Sequence, residues 1–253
     1  MTLCAESADA PVELKAWLHL LGDAHDVLAT TAEACCRRTQ VPDSNVWSPE
    51  AVATRLLLRS CGTIKAVLLL TQEAMVVEAR TLTRNLIENA FGVAALVDDS
   101  TDYIARLQDD SNRSNRNKAE FALKHMPGSA EHQAVLADAV QAVEKSVQLV
   151  SPKQLAVSGA LTNLYLTYQI LSDDAAHATA RALERYVARA DGGWHYRFEP
   201  GSPAELASTL RHAMLAVLGV GIGVTQVLAM SDCNAQMAKL AERLERMPAV
   251  TTL

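Results

Sequence analysis

Ala213 to Ser231, AMLAVLGVGIGVTQVLAMS, is the stretch on which the fold turns, because it carries no charge and is close to the ~20 residues needed to cross hydrocarbon. Its contents favour burial inside protein. Gly219, Gly221 and Gly223 each cost about 1 kcal/mol of helix propensity relative to Ala, Thr225 and Gln226 are polar, and the flanks lack aromatic belts and a Lys/Arg cluster. An all-round apolar helix is what the middle of a large bundle requires, so we expect a central core helix and no membrane span. Gly219 and Gly223 fall four apart on one face, where missing side chains let a neighbouring backbone approach.

Working outward, the rest of the chain reads as helices around that centre. Aromatic residues are only 4% of the 253, and Ala and Leu dominate every periodic segment. A first helix runs from about Pro11 to Arg38, with Trp17, Leu21, Ala24, Leu28, Thr31 and Cys35 at alternating steps of four and three. Ser48-Pro49-Glu50 is a helix start, with a capping hydroxyl, a proline whose missing N–H costs nothing in the first turn, and a carboxylate at the positive end. Further helices are expected over 74–97, 102–125 and 130–150, and from Ser151-Pro152 to Leu171. Another is expected to start at Ser172-Asp173-Asp174, and a long one at Pro203. Residues 190–203 are irregular, and Trp194, Tyr196 and Phe198 alternating with His195 and Arg197 predict a short strand or clamp packed on the bundle. A final surface helix, 234–247, carries Met237, Leu240 and Leu244. The expectation is one all-α domain over 1–253, a multi-helix bundle long enough to bury roughly 70–75% of its unfolded surface.

Charge and cysteine content narrow the function classes. A formal net charge of −6 speaks against a protein that wraps duplex DNA, which needs an excess of Lys and Arg to displace counterions. Arg113, Arg116, Lys118 and Lys124 are interrupted by Asp109, Asp110 and Glu120 and fit a solvated helix face, so nucleic acid is not an expected partner. Cys4, Cys35, Cys36, Cys61 and Cys233 form no C-x-x-C pair, which fits reduced thiols. The N-terminal MTLCAESADAPVELK has no basic start followed by an apolar core, so the expected location is cytoplasmic. No heptad series or repeat stands out, and the oligomeric state is left open.

Two constellations carry the candidate chemistry. On the helix from Ala74, Arg80, Arg84 and Glu88 fall four apart on one stripe beside Val77, Ile87 and Phe91. Arg preceding Glu is the poorer order for a local pair, so a guanidinium is free to reach elsewhere, for instance to Asp173 or Asp174. Two guanidiniums converging on a cleft suit phosphate or carboxylate, while the same residues fit an internal ion-pair network tying two helices. The second constellation is Tyr165, Tyr168, Ser172 and His177. If Ser172 caps a new helix, His177 lies near its first turns, where the dipole disfavours imidazolium and leaves a neutral imidazole able to act as a base or to hold the junction by hydrogen bonds.

Val77 to Glu88, VEARTLTRNLIE, followed by Ala95 to Asp99, a polar helix, and later Tyr168 to Ser172 with His177, resembles an all-helical family of bacterial proteins known only as a domain of unknown function. The likeness lies in an A-x-x-L-x-R-x-x-x-E helix and an L-S-x-x-x-H-like junction over roughly 50–190. It implies an all-helical fold and a pocket between Arg84, Glu88 and His177, and it implies no activity. A bacterial defence or regulatory setting is its only hint of context.

Sharper mechanisms fare poorly against spacing. Helical ribonucleases with an Arg-x(4–6)-His pair find only Arg189 and His195, separated by the helix-breaking Gly192-Gly193. A di-iron bundle needs two carboxylate-x-x-His units, and only Asp174 to His177 fits. His19, Asp23 and Asp26 share a face away from the Trp17 stripe. No metal or cofactor is therefore expected. The function expected is a binding or interaction module whose Arg80, Arg84, Glu88, Tyr168, Ser172 and His177 receive an anionic small molecule or a partner protein. Its rival is a helical hydrolase or ribonuclease-like enzyme with His177 as the base.

Overall fold

The computed structural model describes residues 12–38, 46–143, 150–198 and 201–250. Among them are ten α-helices: α1 (Val12–Arg38), α2 (Pro49–Gln72), α3 (Val76–Asp98), α4 (Ser100–His125), α5 (Ala130–Gln141), α6 (Pro152–Ser158), α7 (Leu164–Leu171), α8 (Ala180–Glu184), α9 (Pro203–Val227) and α10 (Ser231–Glu245). A π-helical turn, Ser172–Ala176, follows α7, and strands β1 (Val187–Ala190) and β2 (Gly193–Tyr196) form an antiparallel hairpin. The fold is all-α with this one small sheet.

The apolar stretch read first is the core. In α9, the one described helix long and apolar enough to cross a membrane, 78% of the apolar window is buried, against α1, α2, α3 and α10. Its start is fixed by a capping box in which the Ser202 hydroxyl accepts from the Glu205 N–H while Glu205 Oε2 accepts from the Ser202 N–H, with Pro203 in the first turn. A Cβ on Gly219 would lie 3.4 Å from that of Ala90, and a Cβ on Gly223 would meet Val93 Cγ1 at 2.4 Å. Earlier in the chain, Gly201 abuts Val76. Because the partner numbers rise together, α3 and α9 run parallel, and the small residues of α9 bring the two backbones close. A parallel pair needs a long connection, which residues 99–202 supply.

Helix α2 returns antiparallel beside α3, with Asn89 Nδ2 donating to Ser60 Oγ at 3.1 Å and Leu56 near Gly92. Ser48 caps α2 by accepting from the Ala51 N–H, and Asp99 caps α4 by accepting from Asp102. The α1 stripe of Trp17, Leu21, Ala24, Leu28, Thr31 and Cys35 is buried throughout. Asp23, on the other face of α1, pairs with Arg243 of α10 at 2.6 Å, and α10 buries Met237 and Leu240, so the expected surface helix is half-inserted.

Three expectations are corrected. The helix expected over 130–150 ends at Gln141, and residues 144–149 lie outside the described set. The helix expected from Pro152 to Leu171 is two, because Gly159 and the following turn interrupt it. Gly159 stands where a Cβ would come within 3.1 Å of Ala94, so the chain leaves the helix at the point where it meets α3. The segment expected as a clamp packed on the bundle is a hairpin whose β2 residues are all exposed.

Candidate functional site

The π-helical turn is where the site is built. At the end of α7 the Ser172 hydroxyl donates back to the Tyr168 carbonyl at 2.8 Å, a local bond that competes with the regular helical ladder. The wider turn that follows brings Asp174 inward until it is buried, leaving Ser172 on the outer side. Two arginines of α3, one helical turn apart, meet the turn at these two points.

Arg84 meets the outer point. Its Nε donates to Ser172 Oγ at 2.7 Å and its Nη2 to the Tyr168 hydroxyl at 2.6 Å, and Nη2 lies 3.2 Å from Glu88 Oε1. The guanidinium carbon sits 4.6 Å from the centroid of the Tyr168 ring, which adds a cation–π contact. Tyr168 in turn donates to Glu88 Oε1 at 2.9 Å. Burial, reinforced by the Glu88 hydrogen bond and charge, raises the Tyr168 phenol above its ordinary value and keeps the donated proton in place. The Arg84 side chain is 16% exposed, so the assembly reaches the surface with its guanidinium already oriented.

Arg80 meets the inner point. It is 0% exposed, and its Nη2 lies 2.5 Å from Asp174 Oδ2. The same carboxylate receives both forks of Arg185, Nε to Oδ1 and Nη2 to Oδ2 at 2.6 Å each. Arg185 also reaches Glu205 Oε1 at 2.8 Å. Burial alone would raise the Asp174 carboxyl, but the Arg185 hydrogen bonds and the Arg80 charge outweigh it and hold the group below its ordinary value. A few residues along α9, His212 is pushed down to about 4 by burial and by the Arg211 and Arg80 charges, so it is neutral at pH 7. Arg80 Nε and Nη1, Ser208 Oγ and His212 Nδ1 have no hydrogen-bond partner among the described residues.

Four of the six residues singled out from sequence, Arg84, Glu88, Tyr168 and Ser172, thus share one hydrogen-bonded network. Arg80 points away from it into the α3–α9 seam. His177 lies beyond the π-helical turn in extended backbone, with φ −129 and ψ 153, and is exposed. This corrects the expectation for the junction: Ser172 does not cap a new helix, and Thr179 does so instead, accepting from the Ala182 N–H at 3.1 Å. The imidazole therefore does not stand over the first turns of a helix. Asp174, the carboxylate of the single Asp-x-x-His unit, is taken up by guanidiniums. Arg189 and His195 sit on opposite strands of the hairpin and share no helix.

Sequence reading missed Arg185, Glu205 and His212. Glu205 was visible as the third residue after a Ser-Pro helix start, and His212 as a histidine beside an uncharged run. Nothing in spacing marks Arg185, because the end of the π-helical turn, three further residues and a five-residue helix separate it from Asp174.

A family model described as a family of unknown function, DUF5677, matches residues 50–193, more than half of the chain. The chain belongs to the DUF5677 family. No curated protein and no solved structure matches it. The DUF5677 span holds α2 to β1 and with them all six candidate residues, Asp174 and Arg185. It leaves out α1, α9 and α10, so of the two long helices that pack most closely against α3, α9 lies outside the matched span while α2 lies within it.

Proposed function

We propose that this DUF5677 chain is a cytoplasmic binding module that receives an anionic group at the π-helical turn, with Arg84 as its principal contact and Glu88, Tyr168, Ser172 and His177 around it. The observation that carries the reading is the posture of Arg84. A guanidinium stacked on a tyrosine ring and fixed by hydroxyls at Nε and Nη2 has lost most of its side-chain freedom before any ligand arrives. Such preorganisation favours bidentate recognition of phosphate or carboxylate, because less entropy remains to be lost on binding. Glu88 is the internal counter-ion that an incoming anion would displace. Arg80, sealed behind the turn, supports the site by anchoring Asp174 and has no direct role in contact. A regulatory or defence setting is compatible with such a module.

The rival reading, a hydrolase or ribonuclease-like enzyme with His177 as base, has less support. An exposed imidazole with no hydrogen bond to orient it among the described residues is poorly prepared for proton transfer. A thermal-shift series with inorganic phosphate, adenine nucleotides and dicarboxylates separates the two. A ligand at 100 times its Kd adds about 2.7 kcal/mol of stability, and Arg84→Ala should abolish that response while His177→Ala weakens it. Turnover of RNA or phosphoesters that disappears in His177→Ala would overturn the binding reading.

A further inference from the structure

Unspent hydrogen-bonding capacity collects in the α3–α9 seam. Arg80, Ser208 and His212 are 0%, 2% and 5% exposed, and Arg80 Nε and Nη1, Ser208 Oγ and His212 Nδ1 find no hydrogen-bond partner among the described residues. Roughly nine in ten buried polar groups are satisfied in folded proteins, so four such atoms at one level of a seam call for an occupant. The register of the two helices places them together. Gly201 abuts Val76 and Gly219 faces Ala90, which sets Arg80 level with the stretch of α9 that holds Ser208. Glu205, Ser208 and His212 follow at steps of three and four, on one stripe of α9. Arg80 senses the charge of Glu205, and its own charge acts on His212. Both ends of the stripe therefore lie near the guanidinium, and Ser208 stands between them.

We propose that this seam binds a small monovalent anion of halide size on Arg80, Ser208 and His212, separate from the Arg84 site. Charge favours that occupant. Asp174 is divided among Arg80, Arg181 and Arg185, while Glu205 is taken by Arg185 and by the Ser202 N–H. Three guanidiniums thus share two carboxylates, and the groove above adds Arg197 and Glu184, which cancel. The excess falls on Arg80, the guanidinium that water does not reach. Burial outweighs the nearby Asp174 charge and lowers Arg80 from its ordinary value. The charges acting on His212 are both positive, from Arg211 and Arg80, so the field along this stripe favours an anion beside a neutral imidazole. The donor set agrees. All four unpartnered atoms can donate: two guanidinium nitrogens, a hydroxyl, and an imidazole whose proton rests on Nδ1. A halide accepts from several donors at once and cancels the excess charge, whereas a water brings two protons that need acceptors of their own and leaves Arg80 uncompensated. Atoms this deeply enclosed admit a small guest only.

The test is thermal unfolding of the full chain at pH 7 in sodium chloride or bromide, against sodium gluconate at equal ionic strength. The melting temperature should climb with the logarithm of halide concentration and not with gluconate, whose anion is too large to enter. Ser208→Ala deletes one donor from a small side chain and should weaken the apparent halide affinity about tenfold, the worth of one hydrogen bond to an ion. His212→Leu, which removes a second donor, should act in the same direction. Arg84→Ala should leave the halide response intact, which keeps failure here distinct from failure at the π-helical turn. In crystals grown from bromide, an anomalous peak should stand within hydrogen-bond distance of the Arg80 guanidinium and Ser208 Oγ. The proposal is overturned by equal melting curves in halide and gluconate, or by a halide response that Ser208→Ala and His212→Leu leave unchanged. It is also overturned by a response that Arg84→Ala removes, or by bromide found at the surface only, with water between the three side chains.

Discussion

Arg80 and Arg84 leave the same helix one turn apart, grip the same π-helical turn, and live in different media. Arg80 enters the seam between α3 and α9, fully sealed, and depends on one carboxylate that it shares with Arg185. Arg84 lies at the water boundary, where a serine hydroxyl, a tyrosine hydroxyl, a glutamate and the Asn85 amide oxygen divide its hydrogen bonds. Identical chemistry therefore carries different stakes. A buried ion pair is at best modestly stabilising as a whole, yet removing one partner strands the other charge in low dielectric. An exposed arginine that loses a partner is rescued by solvent.

The largest expected effect follows from that asymmetry. Asp174→Ala leaves Arg80 uncompensated and separates Arg185 from its bidentate acceptor, and should cost about 3–5 kcal/mol in urea unfolding. A loss no greater than that caused by Arg84→Ala would show that the seam admits water and that the contrast is false.

Acid titration sharpens the same contrast. His212 has a folded-state value of about 4 against ~6.5 when unfolded, so between those values the unfolded chain binds the extra proton. Stability from keeping this imidazole neutral is complete above pH 6.5 and falls by about 3 kcal/mol as the pH drops to 4. Asp174, whose carboxyl is held low, contributes stability that is present above the unfolded carboxylate range and is lost as the pH falls through its depressed folded value. The two windows are thus consecutive. Melting temperature followed from pH 7 to pH 3 should decline in two stages, and His212→Leu should remove the first alone.

At the apolar end of the seam, space replaces charge. A Cβ on Gly223 would lie 2.4 Å from Val93 Cγ1, and branched side chains there have no room to move. Gly223→Val should destabilise by about 1–3 kcal/mol, and Val93→Ala in the same chain should recover part of the loss. At Gly62, where a Cβ meets nothing within 4 Å, Gly62→Ala should instead stabilise by up to ~1 kcal/mol, since helix propensity alone acts. Equal effects at both positions would mean that α3 and α9 do not approach as closely as their glycines permit.

What was legible in the chain follows the range of the forces involved. The burial of α9, the close-approach role of Gly219 and Gly223, the cap at Ser48 and the helix start at Pro203 are local or periodic properties, and each was readable from residues within a turn or two. So was the bond between an α3 arginine and Asp174, because an Arg-before-Glu order leaves a guanidinium unspent. The π-helical turn was not legible, since Ser-Asp-Asp is equally the signature of a helix start. That ambiguity displaced His177 from a helix terminus to exposed extended backbone. The hairpin's strand character was visible in its alternation, but alternation does not say which side faces protein, and here neither face of β2 does.

The smallest expected effect probes the Arg84 network itself. The Tyr168 hydroxyl accepts from Arg84 and donates to Glu88, so it transmits the orientation of one to the other. Tyr168→Phe keeps the ring beneath the guanidinium and deletes only that relay, which should cost about 1 kcal/mol, near the net value of a hydrogen bond. Glu88→Gln should cost less, because the pair is partly exposed and screened. If the three residues act as a unit, the double variant costs less than the sum of the singles, with a coupling of about 0.5 kcal/mol or more in a double-mutant cycle. Additive losses would mean that the Tyr168 hydroxyl passes nothing between Arg84 and Glu88. In that case Glu88 holds Arg84 only through their direct contact at 3.2 Å, and an arriving anion could displace that counter-ion without disturbing the tyrosine.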